Sequence, residues 1–382
     1  MWIVQALVRS QGQIFFQRAR LSGLLVLLAL AVASPWLAGF AVLGAAVQTG
    51  VSVLLRRPRG ASVRLSSSGG DRSSRGRTGP GPGPGPGPGC GCGSRSERHG
   101  ADGAARRSEL VAGQPQRPAP SSGSHRASAL AMSSLSTDAT ARRDAADGIH
   151  GFCGALTGCA AFLACGPSTA ALVWTFLGSA LCALLVRALE RLRIFNWLPM
   201  LTGPFCAVST ALNPVFARWH RDAESPGAPP FELLGPIPDL VTGTVRASAQ
   251  VLLTDHLITG LLVLAIMFFA GVREGLWSLV GALTATALGF WLLGWQPTMA
   301  GLAGYCGFLT ALALGAVFPR NDAARAVRVL VPLVGACLTV PLWWALQQAG
   351  MAVYTWPFVL TTWAILFAQR RWARRERAGA AS

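Results

Sequence analysis

The sequence predicts an all-α polytopic membrane protein of two inverted-topology repeats. Each repeat carries five transmembrane helices and one re-entrant half-helix, about ten transmembrane helices in all. Three observations predict it. Of 382 residues, 52% are hydrophobic and 13% charged, too apolar for a soluble chain of this size. The chain also repeats itself. Val8-Arg9-Ser-Gln-Gly-Gln13-Ile-Phe-Phe16-Gln17, then Gly23-Leu-Leu-Val-Leu27, matches Val245-Arg246-Ala-Ser-Ala-Gln250-Val-Leu-Leu253-Thr254, then Gly260-Leu-Leu-Val-Leu264. The offset is 250 − 13 = 237, and Gly44-Ala45 falls on Gly281-Ala282 at the same spacing. Deeper in each half, Gly151-Phe152-Cys153-Gly154-Ala-Leu156-Thr157 matches Gly304-Tyr305-Cys306-Gly307-Phe-Leu309-Thr310. Leu201-Thr202-Gly-Pro204-Phe205 likewise matches Tyr354-Thr355-Trp-Pro357-Phe358, both at 304 − 151 = 153. The offsets differ by 237 − 153 = 84 residues, so the first copy carries an insertion. The third observation is where the charges lie.

In chain order, a segment of about twelve residues around Gln13 is amphipathic and too short to span, which suits a half-helix dipping into the bilayer. The apolar runs 21–34, 36–55, 149–165, 168–186 and 197–217 follow. The second half opens on the equivalent segment around Gln250, followed by runs at 258–272, 275–293, 300–318, 328–348 and 352–368. At about 1.5 Å per residue most can cross a hydrocarbon core of about 30 Å. The stretch 56–147 is rich in Ser, Gly, Arg and Pro, with five Gly-Pro pairs from Gly79 to Pro88. It cannot bury a core, and the expectation is disorder. Translated non-coding sequence is a second reading of it.

Charge orients these runs. All 33 basic residues are Arg. Between Arg56 and Asp147 stand 15 Arg against 7 acidic residues, and Arg370 to Arg377 adds 5 Arg against Glu376. Loops 187–196 and 319–328 are also basic, whereas 166–167, 294–299 and 349–351 carry no charge. The positive-inside rule therefore puts both termini and the insertion in the cytoplasm, and the expected membrane is the plasma (inner) membrane. Five crossings per repeat is an odd number, so the halves are inverted. The expected divisions are a first repeat at 1–217, an inter-repeat loop at 218–241, a second repeat at 242–368 and a basic tail at 369–382. Residues 1–34 also have the outline of a signal peptide, but the second copy at 245–266 favours a retained segment.

Several classes are disfavoured. The net charge of +17 comes without an aromatic-basic platform, so no nucleic-acid partner is expected. Cys90, Cys92 and His99 match no strong zinc pattern. The other seven Cys lie in or beside spans, as small packing residues do. The five His residues (99, 125, 150, 220, 256) are scattered, and no nucleophile–base pair is visible, so neither an enzyme nor a metal or other cofactor is expected. Ion coupling asks for carboxylates or His within the membrane, but Glu190, Asp255, His256, Glu274 and His150 fall at span ends. A duplicated apolar chain is the usual ground plan of a transporter or channel.

The repeated blocks resemble those of the urea transporter family: its half-helix motif, its Gly-Phe-Asn-Gly-x-Leu-type motif and its Leu-Thr-x-Pro-Phe motif, in the family order and each twice. The resemblance covers about 1–55 and 148–368. It implies ten membrane helices with two re-entrant half-helices, a pore within each protomer, a homotrimer, and passive passage of urea. Urea is planar and uncharged, with four N–H donors and one acceptor. Stripping its water without replacement costs several kcal/mol, so its pore needs acceptors between flat apolar faces. By resemblance, Gln13 and Gln250 contact the solute or hold the local backbone, with Phe16 and Leu253 one turn on. Phe152, Leu156, Tyr305 and Leu309 form apolar slots, and Thr202 and Thr355 place hydroxyls near the midpoint. Pro204 and Pro357 break the following helices and free carbonyls. The plainer alternatives are packing for Phe and Leu and a bond to the i−4 carbonyl for Thr. Two departures stand out: Cys153 and Cys306 replace the family's Asn, and Tyr305 replaces Phe. They leave open another small neutral solute, a short amide, ammonia or water. Membrane lipid is the remaining partner expected, with the basic insertion available to anionic lipid.

Overall fold

Gly, Pro and Ser punctuate the apolar runs closely enough to set most helix ends. The computed structural model describes residues 2–17, 19–56, 151–219, 235–320 and 323–381. These residues form thirteen α-helices and no strand. In the first half they are α1 (Trp2–Gln13), α2 (Arg20–Ala33), α3 (Pro35–Arg56), α4 (Phe152–Cys165), α5 (Thr169–Leu189) and α6 (Gly203–Trp219). In the second they are α7 (Pro236–Gln250), α8 (Leu257–Ala270), α9 (Val272–Leu292), α10 (Trp295–Met299), α11 (Tyr305–Leu312), α12 (Arg325–Gln348) and α13 (Trp356–Ala381). The Gly-Pro run, Cys90, Cys92, His99, His125, His150 and His220 lie outside the described residues.

Local chemistry accounts for the ends. Pro35 and Pro236 open α3 and α7, where a missing N–H is tolerated. Ser168 caps α5, accepting from the Ala171 amide at 3.2 Å. Gly166, at φ 63°, turns the chain out of α4. Helices α3, α5, α9 and α12 are long and apolar enough to cross a membrane; α2, α4, α8 and the Tyr305–Val317 stretch are shorter apolar helices. Helices α1 and α7, of 12 and 15 residues, are about 18 and 22 Å long, short of a full crossing.

The sequence repeat reappears in the backbone. Helix α2 shifted by 237 gives the bounds of α8, 257–270, and α4 shifted by 153 starts where α11 starts, at Tyr305. Helix α6 shifted by 153 likewise starts where α13 does. Among the described residues, four non-glycine residues have positive φ: Phe16 (61°), Leu201 (51°), Leu253 (61°) and Tyr354 (38°). They pair at 253 − 16 = 237 and 354 − 201 = 153.

Glycines at matching positions bring helices into backbone contact. A Cβ on Gly23 would lie 1.9 Å from the Val8 carbonyl oxygen, and one on Gly260 would lie 2.0 Å from that of Val245. Gly44 and Gly154 meet similarly, as do Gly281 and Gly307. Small residues permit such approach where lipid supplies no hydrophobic drive between helices. Outward faces keep large apolar side chains exposed, including Phe176, Leu177 and Leu184 of α5 and Leu330, Val334 and Leu338 of α12. Lipid is the solvent that makes these faces stable.

Four expectations need correction. The run at 300 begins as helix only at Tyr305, because 300–304 is turn, and the described part of the run at 149 opens on a turn at Gly151 before α4. The run at 197 becomes helix only at Gly203, after a short 3₁₀ turn at Arg193–Asn196 and the left-handed Leu201. The basic tail after 368 is a continuation of α13, and its Trp372 indole donates to Glu376 one turn on, at 2.6 Å. Pro204 and Pro357 do not break the helices that follow. They stand second in α6 and α13, where the first amides have no helical acceptor and proline is accommodated.

Candidate functional site

The two short helices α1 and α7 end alike. In α1 the Phe16 amide donates to the Gln13 carbonyl at 3.0 Å and the Gln17 amide to Gly12 at 2.9 Å. That is a Schellman closure with Phe16 in the left-handed position usually held by glycine. In α7 the Leu253 amide donates to the Gln250 carbonyl at 2.9 Å. The expected unpaired carbonyls at these ends are therefore each engaged once, leaving a second lone pair. Gln13 and Gln250 are the terminal residues of their helices, and the Gln250 Nε2 donates to the Ala300 carbonyl at 2.9 Å. A bulky residue at positive φ is a genuine outlier costing roughly 1–3 kcal/mol, and such strain concentrates at functional sites. Here it recurs at four matched places.

The second strained pair lies just before the threonines. The Thr202 and Thr355 hydroxyls meet at 2.7 Å, buried at 5% and 2% exposure. The plainer alternative, a bond to the i−4 carbonyl, is what Thr157, Thr175 and Thr244 make; these two bond each other instead. Cys206, one turn after Thr202, places its thiol 3.0 Å from the Thr355 hydroxyl. The positions that replace Asn converge on the same turns. Cys153 faces the Leu201 carbonyl at 3.9 Å and Cys306 that of Tyr354 at 4.0 Å. The Tyr305 hydroxyl also donates to the Tyr354 carbonyl. Thiols are weak donors, so these contacts hold the turns only lightly.

Leu156, Tyr305 and Leu309 are buried in the apolar core, with Phe16, Phe152 and Leu253 packed against it. Six of the expected residues thus lie in or against one apolar core, Thr202 and Thr355 bond each other, Gln13 and Gln250 end α1 and α7, and the two prolines stand second in α6 and α13. The halves are not equal. Phe16 sits edge-on to Phe318 and Phe358, at 6.0 and 6.4 Å between ring centroids. The matching Leu253 instead borders a cavity of about 340 Å³ with Tyr354, Asn213 and Phe216.

Sequence reading passed over five residues here. Cys206 shares a helical face with Thr202 by i, i+4 spacing, a signal that was legible. Tyr354 is the 153-offset partner of Leu201. Asn213 is an isolated amide within an apolar run. Gln48 accepts from the Gly154 amide at 2.5 Å at the start of α4, and Asp239 is buried in the first turn of α7, where the helix dipole favours a carboxylate.

Backbone-tight glycines, exposed apolar faces and four helices long and apolar enough to cross a membrane define an integral membrane protein. A family model described as Urea transporter matches residues 4–64 and 122–370, and the chain belongs to that family. Membership implies movement of urea across a membrane, not catalysis. The match leaves out 65–121, a narrower gap than the expected insertion at 56–147. No curated protein matches the chain.

Proposed function

We propose that the chain is a passive, channel-like conductor of urea whose pathway runs between its two repeats and narrows at Thr202 and Thr355. The observation that carries this reading is the 2.7 Å contact between those buried hydroxyls, contributed by equivalent positions of the two halves. In this reading the repeats are inverted, with five crossings and one half-helix each, and both termini are cytoplasmic. The protomers assemble as homotrimers in the plasma membrane, each with its own pore.

At the neck, urea exchanges the Thr–Thr bond for bonds to itself, so its N–H groups and carbonyl are not stripped without replacement. Gln13 and Gln250, with the second lone pairs of the half-helix carbonyls, serve the solute on either side. Phe16, Phe152, Leu156, Leu253, Tyr305 and Leu309 press on its flat faces and exclude hydrated ions. The cavity at Leu253 and Tyr354 is the wider approach, and Asn213 is the amide there able to pair with a solute amide. Of the groups weighed for ion coupling, Glu190, Asp255, His256 and Glu274 stand at helix ends or in the link before α8; the buried Asp239 lies in the first turn of α7.

One observation favours a second reading, a short amide as solute. The thiols of Cys153 and Cys306 make the turns at Leu201 and Tyr354 less polar than the amides that the family motif places there would. Stopped-flow flux into proteoliposomes decides between the two, with urea, acetamide and water measured in parallel. Urea permeation well above acetamide supports the urea channel; acetamide exceeding urea transfers the assignment to the second reading.

A further inference from the structure

On the outer face of the second half, α12 and α13 leave a groove of about 610 Å³. Val327, Leu330, Val334 and Leu338 form one wall, and Ile365 and Ala368 the other. Leu330 and Val334 are 56% and 52% exposed, so the groove opens to whatever surrounds the protein. From Val327 to Leu338 it runs about 16 Å along α12, roughly the depth of one leaflet of a 30 Å hydrocarbon core.

One end is polar and ordered. Arg320 pairs with Glu376 at 3.0 Å, and the Trp372 indole donates to the other Glu376 oxygen at 2.6 Å. Trp372 also borders an adjoining cavity of about 430 Å³ with Ala368, Arg371 and Arg375. Arg371 and Arg375 give this adjoining cavity its positive charge, while Glu376 is held by Arg320. The groove therefore runs from an apolar trough to the Arg320–Glu376 pair and Trp372, next to the cationic cavity at Arg371 and Arg375. That is the polarity profile of a membrane interface, where indoles sit at headgroup level.

We infer that this groove is a binding site for one anionic phospholipid, its acyl chain along Val327–Leu338 and its phosphate at Arg371 and Arg375. Guanidinium groups bind phosphate through paired N–H donors, and basic side chains beside the membrane attract anionic lipid. Free phosphate lacks the chain that the trough fits, and a zwitterionic lipid lacks the net charge that Arg371 and Arg375 attract. The site rests only on the protein's being embedded in a membrane, so it stands apart from the urea reading.

The test is native mass spectrometry of the full-length chain in detergent, titrated with phosphatidylglycerol or phosphatidylcholine of identical acyl chains. Wild type is compared with Arg371→Gln/Arg375→Gln and with Val334→Trp, each checked for retained helicity by circular dichroism. The expected result is one phosphatidylglycerol held more tightly than phosphatidylcholine by about tenfold or more, and not displaced by millimolar inorganic phosphate. The Arg variant loses the preference, and Val334→Trp loses the tightly held lipid altogether. Equal binding of both lipids, or an unchanged preference in folded Arg variant, overturns the proposal. So does a Val334→Trp protein that changes only its oligomeric state, which assigns the groove to a second copy of the chain.

Discussion

Two hydroxyl groups at 2.7 Å concentrate the functional argument in a single contact. Replacing either threonine with valine keeps the shape and removes the bond, leaving its partner with the Cys206 thiol or nothing. Loss of a buried hydrogen bond is worth about 1–2 kcal/mol, which predicts a roughly tenfold fall in urea flux for Thr202→Val or Thr355→Val in proteoliposomes. A fall of less than twofold in folded protein would remove the pair from the pathway. Asn213 gives a separate prediction. If its carboxamide serves solute in the cavity beside Tyr354, Asn213→Leu lowers urea flux several-fold while water flux stays within about twofold. Equal losses for both solutes would mean that the leucine simply fills the cavity.

Helix packing carries a stability prediction of its own. A Cβ on Gly154 would stand 2.3 Å from the Gly44 carbonyl oxygen, a rigid neighbour that cannot rotate away. Gly154→Ala therefore overpacks the α3–α4 contact and costs about 1–3 kcal/mol, visible as a lower thermal midpoint of the detergent-solubilised protein. Gly39, with open space around its Cβ position, is the control: Gly39→Ala leaves the midpoint near that of the unaltered chain. Much of this level was legible beforehand. Apolar length placed α2, α3, α5, α8 and α9 within a few residues, because a lipid-facing helix must be continuous and uncharged. Helices α6, α11 and α13 start later than their apolar runs, since apolarity does not reveal where a turn interrupts it. The left-handed turn at Leu201 has no Gly or Asn to announce it, and Leu253 conforms to a turn its own side chain disfavours. At the site, the repeat exposed the matched residues, whereas Gln48, Cys206 and Asn213 have no matched polar partner and so carried no repeat signal.

At the scale of the whole molecule, the family match, the apolar outer faces and the duplicated backbone describe one membrane-embedded unit. The segment 65–121 falls outside the family match, so the transport machinery does not depend on it in this account. Deleting 65–121 is expected to leave urea flux within about twofold of the full chain, measured at equal protein incorporation; abolition of flux would give that segment a functional role. The central claim, passive conduction of urea through the threonine neck, is tested most directly by stopped-flow urea flux into proteoliposomes with proton and sodium gradients imposed in either direction. The chain and its Thr202→Val/Thr355→Val variant are compared in that assay. The account predicts fast urea flux that follows only the urea gradient and is largely lost in the double variant. Flux driven by either ion gradient, or flux unchanged in the folded double variant, would contradict it.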